Sequence, residues 1–431
     1  MTTRIKGIAS GLLCSIALGA AAEEYQVTDL GANVSPAALN NSRVVVGEVN
    51  TPSATPGLPP VSAPFIWQKG VLTKITPANW NGGALLGINS AGTAVGQAQL
   101  ADPAHPTAPF SYKDGVITYI PIPAAAGSVG AINDAGAIGG FLQDRLASGF
   151  FGGNVPFLYE NSVITILPSL GGSGGGVTGI TPAGIAVGTL DTATWPRDQF
   201  AVTWEQHRLK LLPRLGGNSA GANAVNDHGV IVGSSSTGVL FEEHLTTWEN
   251  GSIRDLGGMP GATRTVGQSI NTSGVIVGYA WGIHFPSAAI VYKNNTMQTL
   301  DTLAGPSTGW RFLVANAINE QGDIVGLGFP PGSIEVHGFL LSPVIHKTLA
   351  QIFDLLLSKI DSFGLDPWTA QALKISLVEL RDWMAANPVW SCSLLKWFVF
   401  DINVLIGRGL TAQQAKELLD LTLELSFALK C

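Results

Sequence analysis

From residue 25 to about residue 343, apolar positions fall in short runs, four to a period, separated by glycine, asparagine and proline. In one period Arg264 to Ile270 leads into a turn at Asn271-Thr272-Ser273-Gly274, and Val275 to Tyr279 follows. After a variable stretch come Ala288 to Tyr292, a polar turn at Lys293-Asn294-Asn295, and Met297 to Leu300. Runs of this length, rich in β-branched and aromatic residues and closed by turn formers, predict strands, here termed a, b, c and d in chain order. The a–b junction is the most regular part. Its phrase, Ile270-Asn271 to Gly278, recurs at Leu39-Asn40 to Gly47, Ile88-Asn89 to Gly96, Ile132-Asn133 to Gly140, Ile180-Thr181 to Gly188, Val225-Asn226 to Gly233 and Ile318-Asn319 to Gly326. From Asn40 through 89, 133, 181, 226 and 271 to 319, the steps are 49, 44, 48, 45, 45 and 48 residues. A period of ~40–50 residues built of short strands indicates a propeller or a β-solenoid.

The phrase itself reads as a turn. Asn tolerates left-handed backbone and bonds its own main chain, and Gly supplies positive φ where a Cβ would clash. A metal-site reading of Asn133-Asp134 and Asn226-Asp227 is weaker, because most copies lack the Asp. The closing Gly of each copy is expected to allow close sheet packing near the axis. Ring closure follows from the ends of the pattern. Tyr25 to Gly31 matches a d run such as Ile253 to Gly257, yet precedes every a run. The seventh copy has a, b and c runs but stops at Ser342-Pro343 without a d run. The N-terminal strand should therefore complete the last blade and remove an open sheet edge. The expected fold is all-β: a seven-bladed β-propeller closed by the N-terminal strand, followed by a small all-α C-terminal domain.

Past Pro343 the period changes from two to about 3.6. Leu349, Ile352, Phe353, Leu356 and Ile360 form one helical stripe. Asp366-Pro367 caps a second helix, which runs to about Ala386 before Asn387-Pro388. Ser391 starts a third helix ending near Gly407-Arg408-Gly409, and Thr411 to Gln414 is a capping box for a fourth. If the last two helices lie antiparallel, Cys392 and Cys431 meet; in an oxidising compartment this predicts a disulfide worth ~3–4 kcal/mol.

Composition adds the setting. Among 431 residues, 46% are hydrophobic and 12% charged, with 53 glycines and 25 prolines, as suits many tight turns. The formal charge is −7, and losing Arg4 and Lys6 would take it to −9. That balance gives no reason to expect nucleic acid or an anionic membrane surface as partner. Residues 1–22 read as a secretory signal peptide: basic Arg4 and Lys6, apolar Ile8 to Leu18, and a cleavage site at Ala20-Ala21-Ala22. Cys14 follows Leu12-Leu13, whereas a lipid-modified cysteine wants a small residue before it. No later run reaches ~18 apolar residues, so the mature chain is expected to be secreted or periplasmic, without a transmembrane segment. The domain expectation is 23–345 for the propeller and 346–431 for the helical module, in a monomer without cofactor.

In a four-stranded blade the a–b and c–d turns share one face and the b–c and d–a loops the other. The first pair is short and uniform. The second is long and irregular, which is where function concentrates on a rigid scaffold. Four histidines are assigned to b–c loops, His105, His244, His284 and His337; His228 and His207 fall in turns of the uniform face. The b–c loops also carry Asp102, Asp144, Arg145, Asp191, Trp195, Arg197, Asp198, Glu242, Glu243, Trp281 and Glu335, and the d–a loops Trp80, Arg264, Trp310 and Arg311. A rim of aromatics, arginines and imidazoles suits stacking and hydrogen bonding to a carbohydrate or another polar polymer. Long surface loops also collect polar residues without any site. No His-x-x-x-His or paired Cys occurs in the ring, so no zinc motif is present. The run Gly172-Ser173-Gly174-Gly175 lacks the Lys-Ser/Thr of a phosphate loop.

The phrases Ala-Ile-Asn-x-x-Gly-x-Ile-Val-Gly, Pro-Phe-x-Trp and Asp-Leu-Gly-Gly resemble the HAF repeat family of secreted bacterial proteins, over roughly residues 25 to 343. The family's His-Ala-Phe phrase is approached at His337-Gly338-Phe339, while other copies read Ala63-Pro64-Phe65 or Val155-Pro156-Phe157. The tail resembles the FIMAH module of secreted bacterial proteins through Ser376 to Leu380, Phe398 to Ile406 and Gly409 to Ala415. These resemblances imply an exported propeller with an accessory module and bring no catalytic residues. The expected function is non-catalytic binding of a polysaccharide or protein through the variable loops. The alternative is a polysaccharide lyase or hydrolase, with one of the four loop histidines as acid/base and Arg197, Arg264 or Arg311 holding an acidic sugar.

Overall fold

The computed structural model describes residues 24–52, 60–102, 106–124, 126–143, 153–193, 197–344, 349–386 and 391–428. The leader expected over residues 1–22, the candidates His105, Trp195, Asp144 and Arg145, and Cys431 with its expected bridge to Cys392 lie outside them. The chain divides into two compact units, residues 1–344 and 345–431.

The first unit is a seven-bladed propeller of four-stranded antiparallel blades. Each blade runs a-b-c-d, as in blade 6: Arg264–Ile270, Ile276–Gly282, Phe285–Lys293 and Thr296–Thr299. Blade 7 takes Arg311–Ile318, Ile324–Phe329 and His337–Val344 from the end of the repeat, and its fourth strand is Glu24–Ala32 from the start. That strand pairs antiparallel with the c strand, from Glu24 opposite Val344 to Ala32 opposite His337. The ring is thus closed as the sequence pattern implied. Blades 5 and 6 are further joined by a single parallel bridge between Glu243 and Arg264.

The a strands surround the axis, and all seven contribute to one central cavity. Each carries a β-bulge at the residue three before the turn Asn (Thr181 in blade 4). These residues are Ala37, Leu86, Gly130, Thr178, Asn223, Gln268 and Asn316. The bulge explains the closing glycine. A Cβ on Gly278 would stand 1.9 Å from the Val266 carbonyl oxygen, and one on Gly47 2.1 Å from that of Ser35. The facing strand swings its carbonyl into the space a side chain would need, so close approach rather than positive φ demands glycine here. The b strands are buried on both faces at Ile276-Val277-Gly278 and its counterparts. The c strands bury Phe65, Phe110, Phe157, Trp204, Trp248 and Phe339. Trp204 and Trp248 donate their indole N–H to the Pro168 and Pro213 carbonyls of the preceding blade, at 2.9 and 2.8 Å. The d strands face outward, with exposed Val71, Val116 and Val163 at their starts.

The Asn-x-x-Gly turn does more than reverse the chain. In Asn271, Oδ1 accepts the Val275 N–H while Nδ2 donates to the Asn319 carbonyl of the next blade, at 3.0 and 3.2 Å. The donation is repeated from Asn319 to Asn40, Asn40 to Asn89, Asn89 to Asn133, Asn133 to Thr181 and Asn226 to Asn271. Six links of a circular belt are made. The seventh position holds Thr181, whose side chain accepts the Ile185 N–H and has no amide to donate onward. Blade 1 departs from the phrase in having Arg43 at the glycine position, at φ +57°. Its guanidinium crosses the closure to the buried Asp323 carboxylate of blade 7, at 2.8 Å.

One element was not expected. Between blades 6 and 7 lies a short helix, α1 (Leu300–Ala304), capped by Thr299. Its Asp301 accepts the Phe312 N–H at 3.1 Å, and burial raises the Asp301 pKa above the ordinary carboxylate range. The second unit comprises α2 (Leu349–Ser362), α3 (Pro367–Ala386), α4 (Ser391–Leu405) and α5 (Ala412–Ala428). Ile352, Phe353, Leu356 and Ile360 pack against Leu373, Leu377, Phe398, Ile402 and Leu418. Asp366 caps α3 by accepting the Trp368 and Thr369 N–H groups. Thr411 and Gln414 exchange the two bonds of a capping box at α5. No helix among the described residues is long and apolar enough to cross a membrane.

Candidate functional site

A cleft of about 990 Å³ opens between blades 5 and 6 on the face of the b–c and d–a loops. Its outer wall is the blade 5 b–c loop, Thr237 to Glu242. The loop is tied by Thr237 N–H to the Glu242 carbonyl at 3.2 Å and Glu242 N–H to that of Val239 at 3.1 Å. This tie presents Val239, Leu240 and Phe241 outward, 63, 79 and 72% exposed, and Phe241 takes a left-handed backbone at φ +63°. Trp281 and Ile283 of the blade 6 b–c segment face the same cleft.

The floor is polar and its charges are neutralised in pairs. Glu243 accepts from Ser234 Oγ and from Arg264 Nε, both at 2.5 Å. The bond to Glu243 raises the Arg264 pKa. Arg214 donates to the Asn218 carbonyl at 2.8 Å and to Asp198 at 3.2 Å, with its guanidinium 4.1 Å from the Phe200 ring centroid. Two arginines with fixed planes, beside an exposed apolar wall, can orient a polar group while the wall takes up hydrophobic surface.

The candidate residues separate clearly. Glu242, Glu243, Arg264 and Trp281 are brought to this cleft, and Asp198 supports it through Arg214. Arg197 lies apart, donating to Ser173 at 2.6 Å. Trp80 and Trp310 are half-buried against aromatic neighbours. Trp80 packs edge-on against Phe110 at 4.8 Å and donates to the Tyr119 hydroxyl at 2.7 Å. Trp310 stacks on Phe312 at 5.9 Å. Arg311 lies over Phe329 at 5.7 Å.

His244 and His337 also correct the loop assignment, since both lie at the starts of c strands. Each presents Nδ1 to a carboxylate on the d strand of its own blade: His244 to Asp255 and His337 to Asp29, both at 2.9 Å. Those carboxylates are the Asp of the Asp-Leu-Gly phrase, and each also accepts the N–H of its Gly, Gly257 or Gly31, at 2.8 Å. The pair is therefore a clasp between c and d strands, repeated in blades 5 and 7. Glu242 stands 3.6 Å from His244 Nε2. His284 sits in the blade 6 b–c turn, between Gly282 and Phe285. Among the described residues no three His, Cys, Asp or Glu side chains converge as metal ligands.

Sequence reasoning overlooked Arg214, the Val239-Leu240-Phe241 wall and Ile283. The available signal was three consecutive apolar residues in a loop position.

No family model matches the chain, and no curated protein matches it in sequence. Among solved structures it is similar to the β-propeller domain of the Trilobed protease from Pyrococcus furiosus. That match has a TM-score of 0.51 at 9% identity and covers 73% of this chain and 94% of that one. Acylaminoacyl peptidase matches at a TM-score of 0.47 and 8% identity, over 73% of this chain and 52% of that one. The Aleuria aurantia lectin matches at 0.34 and 11%, over 60% and 93%. Likeness at these identities establishes the propeller fold alone.

Proposed function

We propose that the protein is an exported, non-catalytic propeller that binds a polysaccharide or protein ligand through its variable face, in the cleft between blades 5 and 6. The observation that carries this reading is the pairing of an exposed apolar wall, Leu240, Phe241, Trp281 and Ile283, with a floor of fixed ion pairs. Aromatic faces suit sugar rings, and aliphatic side chains suit apolar residues of a protein; the aliphatic share here favours a protein segment. Contiguous exposed apolar surface of this kind commonly marks an interaction site. The lyase or hydrolase alternative draws less support, because His244 and His337 are engaged as blade clasps.

The test is a binding screen of the purified full chain against acidic and neutral polysaccharides and against extracellular proteins. Reducing and unsaturated ends are scored in the same reactions. A ligand whose binding is lost in Leu240→Asp and Trp281→Ala supports the cleft. New sugar ends formed by the wild-type chain would replace this reading with the enzymatic one. The HAF-type character of the repeat and the FIMAH-like character of the tail belong to the same proposal, carried by their shared phrases. Export is checked by an N-terminus beginning at Glu23 in secreted material. The Cys392–Cys431 bridge is checked by thiol titration of that material, which should yield no free thiol.

A further inference from the structure

We propose that the central channel holds a second binding site, apart from the cleft, for a protonated amino sugar. Where the bulges of blades 6, 7 and 1 face the first strands of blade 2, the channel widens to a cavity of about 490 Å³. Five polar side chains line it: Ser35 and Glu48 of blade 1, Gln97 of blade 2, Gln268 of blade 6 and Asn316 of blade 7. Ser35 and Glu48 are opposite one another in the a–b ladder, which sets both at one level of the channel.

The neighbouring bulge residues show what is unusual about this cavity. Thr178, Asn223 and Asn316 each donate to a carbonyl of the next blade, at 2.8, 2.8 and 2.7 Å. Gln268, at the same bulge position, makes no such bond among the described residues, and it lines both this cavity and the narrower channel beyond. Glu48 has one long contact, from Asn50 Nδ2 at 3.5 Å, and no cation beside it among the described residues. A half-buried carboxylate without a counter-charge favours a cationic guest, since an opposite charge at close range stabilises its ionised form.

The remaining chemistry narrows the guest. The Gln97 and Gln268 carboxamides and the Ser35 hydroxyl both donate and accept, which matches sugar hydroxyls. Pro36 and Leu86 supply apolar surface for the C–H face of a pyranose ring. The volume lies within the ~300–1,000 Å³ usual for small-molecule sites. An ammonium group on a hydroxylated ring satisfies all three features. A simple amine satisfies only the first.

Calorimetry on the purified full chain at slightly acidic pH tests this with glucosamine, N-acetylglucosamine and lysine amide as probes. Glucosamine should bind saturably. Acetylation, which removes the charge, and Glu48→Gln should each weaken it at least about tenfold, as for a hydrogen bond to a charged group. Gln268→Ala should weaken it about fivefold while leaving Tm near the wild-type value. Absence of saturable glucosamine binding would overturn the proposal. So would wild-type affinity in Glu48→Gln, or lysine amide binding as tightly as glucosamine. Because the cleft and this cavity share no lining residue, Leu240→Asp should leave glucosamine binding intact, and the two readings fail separately.

Discussion

The two faces of the propeller are made by the same strands, yet they are held by different means. On the a–b face each Asn bonds its own turn and the next blade, so the turns form a belt with six of its seven links made. On the b–c face the blade 5 loop is tied to itself, Thr237 to Glu242, and to the neighbouring blade through Arg264 and Glu243. The first face tolerates little change because six of its seven turn positions serve two blades. The second varies in sequence because its ties join particular residues of adjacent blades and are not repeated around the ring. Repetition marks constraint in this chain, and departure from repetition marks freedom for chemistry.

The most severe way to break the contrast is at the closing glycine. Gly278→Ala places a methyl group 1.9 Å from a carbonyl oxygen that a bulge fixes in place. A loss of about 3 kcal/mol or more is expected, read by urea denaturation. Next comes the closure. Arg43→Ala leaves the fully buried Asp323 carboxylate without its cation. Because Arg43 is half exposed, about 2 kcal/mol is expected rather than the full cost of breaking a buried pair.

The belt itself should respond in both directions. Asn271→Ala removes three side-chain hydrogen bonds and should cost about 2 kcal/mol, whereas Thr181→Asn supplies the missing link and should gain up to about 1 kcal/mol. A Thr181→Asn protein no more stable than wild type would show that the belt does not act as a ring. On the opposite face, Leu240→Ala and Phe241→Ala should change stability by less than about 0.5 kcal/mol. Their effect should appear in ligand binding alone.

The smallest effect concerns the helical unit. Hydrogen bonding at the helix start, foremost from Thr369, holds the Asp366 pKa below its ordinary value. The cap therefore contributes fully above the unfolded carboxylate range and is lost as pH falls through the lower folded value. Helical signal monitored down an acid titration should show this loss, and Asp366→Ala should abolish it.

Much of this architecture was legible because it is local. The a–b turn, the cap at Asp366 and the box at Thr411 each involve residues within four positions. The belt was not legible, since each Asn reaches a carbonyl 44 to 49 residues away, and 279 away at the seam. The bulge was invisible for another reason: Ala, Leu, Gly, Thr, Asn, Gln and Asn occupy it, so no residue type announces it. Of the candidate site, Arg264 and Trp281 were found because they stand at strand ends, beyond the repeating phrase. His244 and His337 were misread as loop residues because each stands one position before the apolar run of its c strand. Only the c–d register puts the Asp of the Asp-Leu-Gly phrase beside a histidine.

The pairing of Glu24–Ala32 with His337–Val344 also has a consequence in time. A ribosome delivers the first of these strands before any of the repeat and its partner after all of it. Six blades can fold from contacts within themselves while the seventh waits, and its two unpaired edges are open to mispairing in the interval. Closure is the contact of greatest sequence separation in the ring and on general grounds its slowest to form. The last pairing expected in making the propeller is thus the return of its oldest segment.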